Sequence, residues 1–167
     1  MAILGPLMAT TGTDKASQDT AAFLAYLDTR KDVVAGVNKV GVVGFCMVGG
    51  LAIAAVATYP QRFAAVASFH GGNLATDAPT SPHLRVPGLA ANTEVYIASA
   101  DNDGSYPPAM AAQLEAALTQ AGVRYRAEMY TGAAHGWMVP VFPVYDPEAA
   151  DHGWKAMLAL FDLTLGR

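Results

Sequence analysis

The sequence predicts an α/β fold built on a mainly parallel sheet, and three observations carry that prediction. Short Val- and Ala-rich runs alternate with longer segments of helical periodicity, the order expected when crossover helices join successive strands. The strand-like runs are nearly unbroken in apolar character, as strands covered on both faces are. Hydrophobic residues make up 53% of the chain and charged residues 14%, which suits a buried sheet or a surface reserved for a partner chain and argues against disorder. At 167 residues the chain fits a single domain, 1–167, with an irregular start over 1–14. No repeat, low-complexity tract or long linker divides it.

Lys15 to Arg30 reads as an amphipathic helix with Ala16, Phe23, Leu24 and Leu27 on one face and Thr13 or Asp14 as cap. Val40 to Phe45 follows as a central parallel strand covered on both faces, then the Ala-rich Gly49 to Tyr59 as a helix stopped by Pro60. Further strands are expected near 63–69, 94–100 and 124–130, with a helix over Pro107 to Gln120 that ends at Gly122. Pro147 to Leu165 reads as a last helix with a buried stripe of Ala150, Trp154, Met157, Leu158 and Phe161. Consecutive strand-helix units of this kind make right-handed crossovers.

Charge and cysteine usage narrow the partners. A net charge of -4 without any Lys/Arg block disfavours nucleic acid and anionic membranes and favours a small neutral or weakly polar ligand. No apolar run reaches the ~20 residues needed to cross a bilayer, and Met1 to Thr13 lacks a signal-peptide pattern, so a cytoplasmic protein is expected. Cys46 is the only cysteine and has no internal disulfide partner.

The chemistry is concentrated in Val42-Val43-Gly44-Phe45-Cys46-Met47-Val48-Gly49-Gly50, an apolar strand entering a helix through a glycine-flanked cysteine. This is the pattern of a nucleophile elbow, in which small residues let the chain turn sharply and lift one side chain above the strand end. The Met47 N–H would then serve as an oxyanion donor, and the helix N-terminus would favour thiolate at Cys46. Taken alone, a cysteine in such a stretch is more often an inert core residue. Two further segments change the balance: Ala98 to Gly104, holding Asp101 and Asp103, lies at the carboxyl end of one predicted strand, and Thr131 to Trp137, holding His135, lies just past the next. Ligands of open parallel sheets lie at those carboxyl ends, and the order nucleophile, acid, histidine is that of α/β-hydrolases. In these roles His135 would accept the Cys46 proton and later activate water, and an acid would fix the imidazole.

With these residues in view, the sequence resembles the dienelactone hydrolase family, within the α/β-hydrolases. The matching residues are Gly44-Phe45-Cys46-Met47, Ser68-Phe69-His70-Gly71-Gly72, Asp103 with Pro107, His135-Gly136-Trp137, and Tyr145 leading to Trp154. The resemblance runs from about Asp19 to the C-terminus and implies Cys46, Asp103 rather than Asp101, and His135 as catalytic residues. It also implies hydrolysis of small esters or lactones without metal or organic cofactor. The carboxylate-binding arginines that such specificity resembles cannot be placed in this sequence, since Val139 to Val144 after His135 is apolar and most of the N-terminal half of the family's fold is absent. His70 and His83 are residues of the 68–84 loop with a turn role or a substrate contact, Trp137 and Tyr106 could wall an apolar pocket although aromatics beside a sheet are more often core, and no elbow surrounds Ser105.

Two departures from the family pattern bear on activity. Val48 stands where the family has glycine two residues after the nucleophile, and its branched Cβ would crowd the elbow and disfavour positive φ. The chain also begins where a full-length relative would have completed its first strands, so a truncated fold is expected to lack the second oxyanion donor. The nucleophile strand would then be left as an apolar edge that pairs with a second copy, giving a homodimer or larger homo-oligomer. A catalytically weak or inactive relative acting as a binding or assembly module is the alternative reading, and a redox-sensing thiol is a third.

Overall fold

The computed structural model describes residues 5–6, 10–30, 32 and 39–166. The irregular start expected over 1–14 lies partly outside these residues, and Thr13 and Asp14 already belong to a helix. The elements in order are α1 (Thr13–Thr29), β1 (Val40–Phe45), α2 (Met47–Thr58), β2 (Phe63–Phe69), a short 3-10 helix (Pro82–Gly88), β3 (Glu94–Asn102), α3 (Pro108–Gln120), β4 (Arg124–Ala134) and α4 (Pro147–Leu165). The four strands form one parallel sheet in the order β1-β2-β3-β4, so each new strand is added on the same side of the last. Crossovers of one hand then place every connection on one face.

Alternation along the strands sorts the core into two halves. On β2 and β3, Val66, Val95 and Ile97 face α2, α3 and the 3-10 helix, together with Ile53, Val56, Leu114 and Leu118. Ala67, Phe69, Tyr96 and Ala98 face the other way, against Trp137, Met138 and the Ala150 and Met157 side chains of α4. β2 is buried along its whole length, as a central strand should be. β1, expected to be covered on both faces, is only half-buried over most of its residues, because it has a strand neighbour on one side only among the described residues.

Three sequence expectations need correction. The α1 N-cap is Gly12, without a side-chain cap, and Asp14 instead pairs with Arg85 at 3.2 Å. Phe23 lies 68% exposed while Leu24 is buried, so the inner face of α1 is narrower than its apolar pattern. On α4 the buried positions are Ala150, Gly153 and Met157, whereas Trp154 and Leu158 are exposed. The helix is turned so that Gly153 meets the sheet, where Met138 and Phe69 occupy the space a side chain would need. No helix among the described residues is long and apolar enough to cross a membrane.

Candidate active site

Each strand delivers one polar residue to the carboxyl edge of the sheet. Cys46 follows β1, His70 follows β2, Asp103 follows β3 and His135 follows β4. Strand β3 runs to Asn102 and β4 to Ala134, beyond the ends expected at Ala100 and Tyr130. After a register shift between Ala100 and Asn102, Asn102 pairs with Ala134, and the next residue on each strand is Asp103 or His135. Pairing of the two strands therefore sets the carboxylate beside the imidazole.

His135 Nδ1–H donates to Asp103 Oδ2 at 2.7 Å, since a carboxylate can only accept. That tautomer leaves Nε2 as the acceptor, and Nε2 stands 3.1 Å from Cys46 Sγ. Cys46 is solvent-exposed, Asp103 is buried and His135 is partly covered. Burial pushes the Asp103 carboxyl up, but hydrogen bonds from Ser105 and His135 outweigh it and hold the group below the ordinary carboxylate value. Asp101 is not part of this line: its Oδ1 accepts the Gly132 N–H at 2.9 Å on β4.

Cys46 is the N-cap of α2, with φ 55° and ψ -130°, a strained backbone for a residue with a side chain. The turn requires glycine on either side. A Cβ at Gly44 would lie 2.3 Å from the Val48 carbonyl oxygen, and one at Gly49 would lie 2.2 Å from Ser68 Oγ. Val48 does not have the effect expected of it, because the positive φ falls on Cys46 itself. Val48 is the second residue of α2 with a half-exposed side chain, where a branched Cβ meets no turn. Met47 opens α2, so its N–H is one of the amides left without an intrahelical partner, at the positive end of the helix.

The remaining candidates separate into support and packing. His70 is 1% exposed, and its Nδ1 accepts the Cys46 N–H at 3.2 Å; it sits behind the thiol and not in an open pocket. Trp137 and Tyr106, expected as pocket walls, are core residues: Trp137 is wholly buried between Tyr130 and His70, and Tyr106 joins the cluster around Leu114. Burial raises the Tyr106 phenol above its ordinary value. His83 is fixed by Ser81 at 2.8 Å and Gln113 at 3.1 Å, which is a structural role. Ser105 was not foreseen as a partner. Its N–H and Oγ both donate to Asp103 Oδ1, at 2.8 and 2.6 Å, and Oγ lies 3.3 Å from His135 Nδ1. An acid two residues before a serine is the sequence signal for such an Asx turn.

An open cleft of about 540 Å³ passes Met47 and Gly72, with Asn73, Thr76 and Ser81 along its wall, and Cys46, Asp103 and His135 are not among the residues that line it. Beyond His135, Gly136 packs on Phe142 and Val144, which with Val141 form a partly exposed apolar rim. Among the described residues no cluster of His, Cys, Asp and Glu is arranged to hold a metal ion.

A parallel sheet with a cysteine elbow after β1, an acid after β3 and a histidine after β4 defines an α/β-hydrolase-type fold. Solved structures agree: a dienelactone hydrolase-type protein from Klebsiella pneumoniae superposes with a TM-score of 0.80 at 22% identity, over 92% of this chain and 63% of that one. A dienelactone hydrolase-like promiscuous phosphotriesterase from metagenomic libraries gives 0.75, also at 22% identity, over 90% of this chain and 62% of that one. The chain belongs to the dienelactone hydrolase family, whose model matches residues 1–165. A Synechocystis protein that carries the provisional name carboxymethylenebutenolidase is 32% identical over 149 residues, which are 88% of this chain and 58% of that protein. The chain thus spans about three-fifths of the length of these relatives.

Proposed function

We propose that this chain hydrolyses small, uncharged esters or lactones with Cys46 as nucleophile, His135 as base and acid, and Asp103 as the group that orients His135. The observation that carries the reading is the unbroken line from Cys46 Sγ to His135 Nε2 at 3.1 Å and from His135 Nδ1 to Asp103 Oδ2 at 2.7 Å, set on a strained elbow. In the first step His135 takes the thiol proton while sulfur bonds to the carbonyl carbon, and the Met47 N–H faces the developing oxyanion. Collapse expels the alkoxide, which leaves with the proton from His135. Water, deprotonated by His135, then attacks the thioester; the acid departs and the thiol is restored.

The apolar rim after His135 supports a neutral substrate, because no cationic side chain lies in the 136–145 segment to hold a carboxylate. A free, exposed thiol is best kept by a reducing compartment, so the reading includes a cytoplasmic protein. Hydrolysis of p-nitrophenyl acetate tests it. Wild type should turn over, and Cys46→Ala and His135→Ala should each lose at least about 1000-fold in kcat. Equal rates in all three would reject the reading.

That Cys46, Asp103 and His135 do not line the cleft favours one other reading, a module that binds an ester there without turning it over. Saturable binding of a slowly hydrolysed ester, unaffected by Cys46→Ala and without product, would select it.

A further inference from the structure

Three non-glycine residues among those described have positive φ: Cys46 at 55°, His70 at 41° and Asn73 at 54°. All lie at the carboxyl edge of the sheet, and the first two are joined by a hydrogen bond. Backbone of this kind is strained and persists only where its surroundings hold it. The Cys46 N–H has two acceptors in reach, Phe69 O at 3.1 Å and His70 Nδ1 at 3.2 Å. His70 is itself anchored, donating its N–H to Ala98 O at 2.8 Å, with its ring set against those of Phe45, Trp137 and His135.

We infer that His70 is a positioning residue, whose Nδ1 lone pair accepts the Cys46 N–H and so holds the strained elbow at the angle that aims Sγ at His135 Nε2. The inference rests on Cys46 being the nucleophile of the proposed hydrolysis. A histidine does this only when neutral with its proton on Nε2, because an imidazolium would oppose its own N–H to that of Cys46. Burial, aided by the neighbouring His135, holds His70 down to about 4, against the opposing pull of Asp103, so Nδ1 keeps its lone pair at neutral pH. The ring is therefore a fixed acceptor that does not compete with His135 for the thiol proton.

The test compares His70→Asn, whose amide oxygen can stand where Nδ1 does, with His70→Leu, which is of similar size and has no acceptor. Two readouts are taken on folded protein: alkylation of Cys46 by iodoacetamide at pH 7, and kcat and KM for p-nitrophenyl acetate. The Leu variant should alkylate and turn over about 10-fold more slowly or worse with KM nearly unchanged, while the Asn variant stays within about 3-fold of wild type, since small misplacements of reacting groups cost rate and not binding. Equal alkylation in wild type and Leu variant overturns the inference, and so does an Asn variant as slow as the Leu variant. If the Leu variant does not fold, a folded Asn variant decides alone, near-wild-type alkylation supporting the role and a loss of about 10-fold overturning it. Alkylation needs no turnover, so absence of esterase activity in wild type would reject the hydrolase reading while leaving this comparison readable.

Discussion

The hydrogen bonds around Asp103 give its carboxylate two jobs at once. Oδ2 holds the His135 ring, while Oδ1 is saturated by the Ser105 N–H and hydroxyl. A buried carboxylate bound this way remains charged and stabilises the imidazolium that forms when His135 takes a proton. Ser105→Ala keeps the backbone donor and removes the hydroxyl. The remaining bond leaves Asp103 less strongly held in its ionised form, so its carboxyl rises toward the ordinary value. The expected outcome is a loss of about 10-fold in kcat/KM. Steady-state kinetics on both proteins check this.

Helix α2 and strand β2 meet so closely at the elbow that side-chain size becomes a structural variable. Gly49 lies against Ser68, whose hydroxyl is buried without a hydrogen-bond partner among the described residues. Gly49→Ala should destabilise the fold by about 1–3 kcal/mol through overpacking. Ser68→Ala alone should be neutral or slightly stabilising, because it removes a polar atom that burial leaves unsatisfied. In the double variant much of the Gly49→Ala loss should return, a non-additivity that urea unfolding of all four proteins measures. Purely additive losses would show that the hydroxyl does not set the spacing.

Acid sensitivity and self-association belong to the molecule as a whole. His70 titrates near 6.5 when unfolded and at about 4 in the fold, so the unfolded chain binds the extra proton between those values. Stability is therefore expected to fall as pH drops from about 6.5 to 4 and to be level above that window. His70→Asn should flatten this slope in denaturation followed by circular dichroism, provided the fold is retained.

The two outer strands of the sheet differ in character. β4 carries Arg124, Arg126 and Glu128, the charges that discourage edge pairing, whereas β1 carries Val40, Val42, Val43 and Phe45 and no charge. Beside β1, Phe23, Val42 and Val48 line a groove of about 450 Å³. We propose that two copies associate through the β1 edge. Sedimentation should find a dimer for wild type and a monomer for Val42→Lys, and a wild-type monomer at high concentration would end the idea.

Residue order and local pattern alone carried the α/β class, the starting points of all four strands and the placing of Cys46, an acid and His135 near strand ends. Strand burial, helix periodicity and the glycine-flanked turn are written in near neighbours, and the family resemblance separated Asp103 from Asp101. Other features depend on contacts between distant segments. The extra pairing of Asn102 with Ala134 brings acid and histidine together. The rotation of α4 that buries Gly153 and exposes Trp154 follows from Met138 and Phe69 filling the interface. His70 belongs to this group as well: a loop histidine in the sequence becomes the buried acceptor of the Cys46 amide only when the ends of β1 and β2 lie side by side. Periodicity reports which way a residue faces, but the partner it finds there is set by packing across the sheet, which no local pattern encodes.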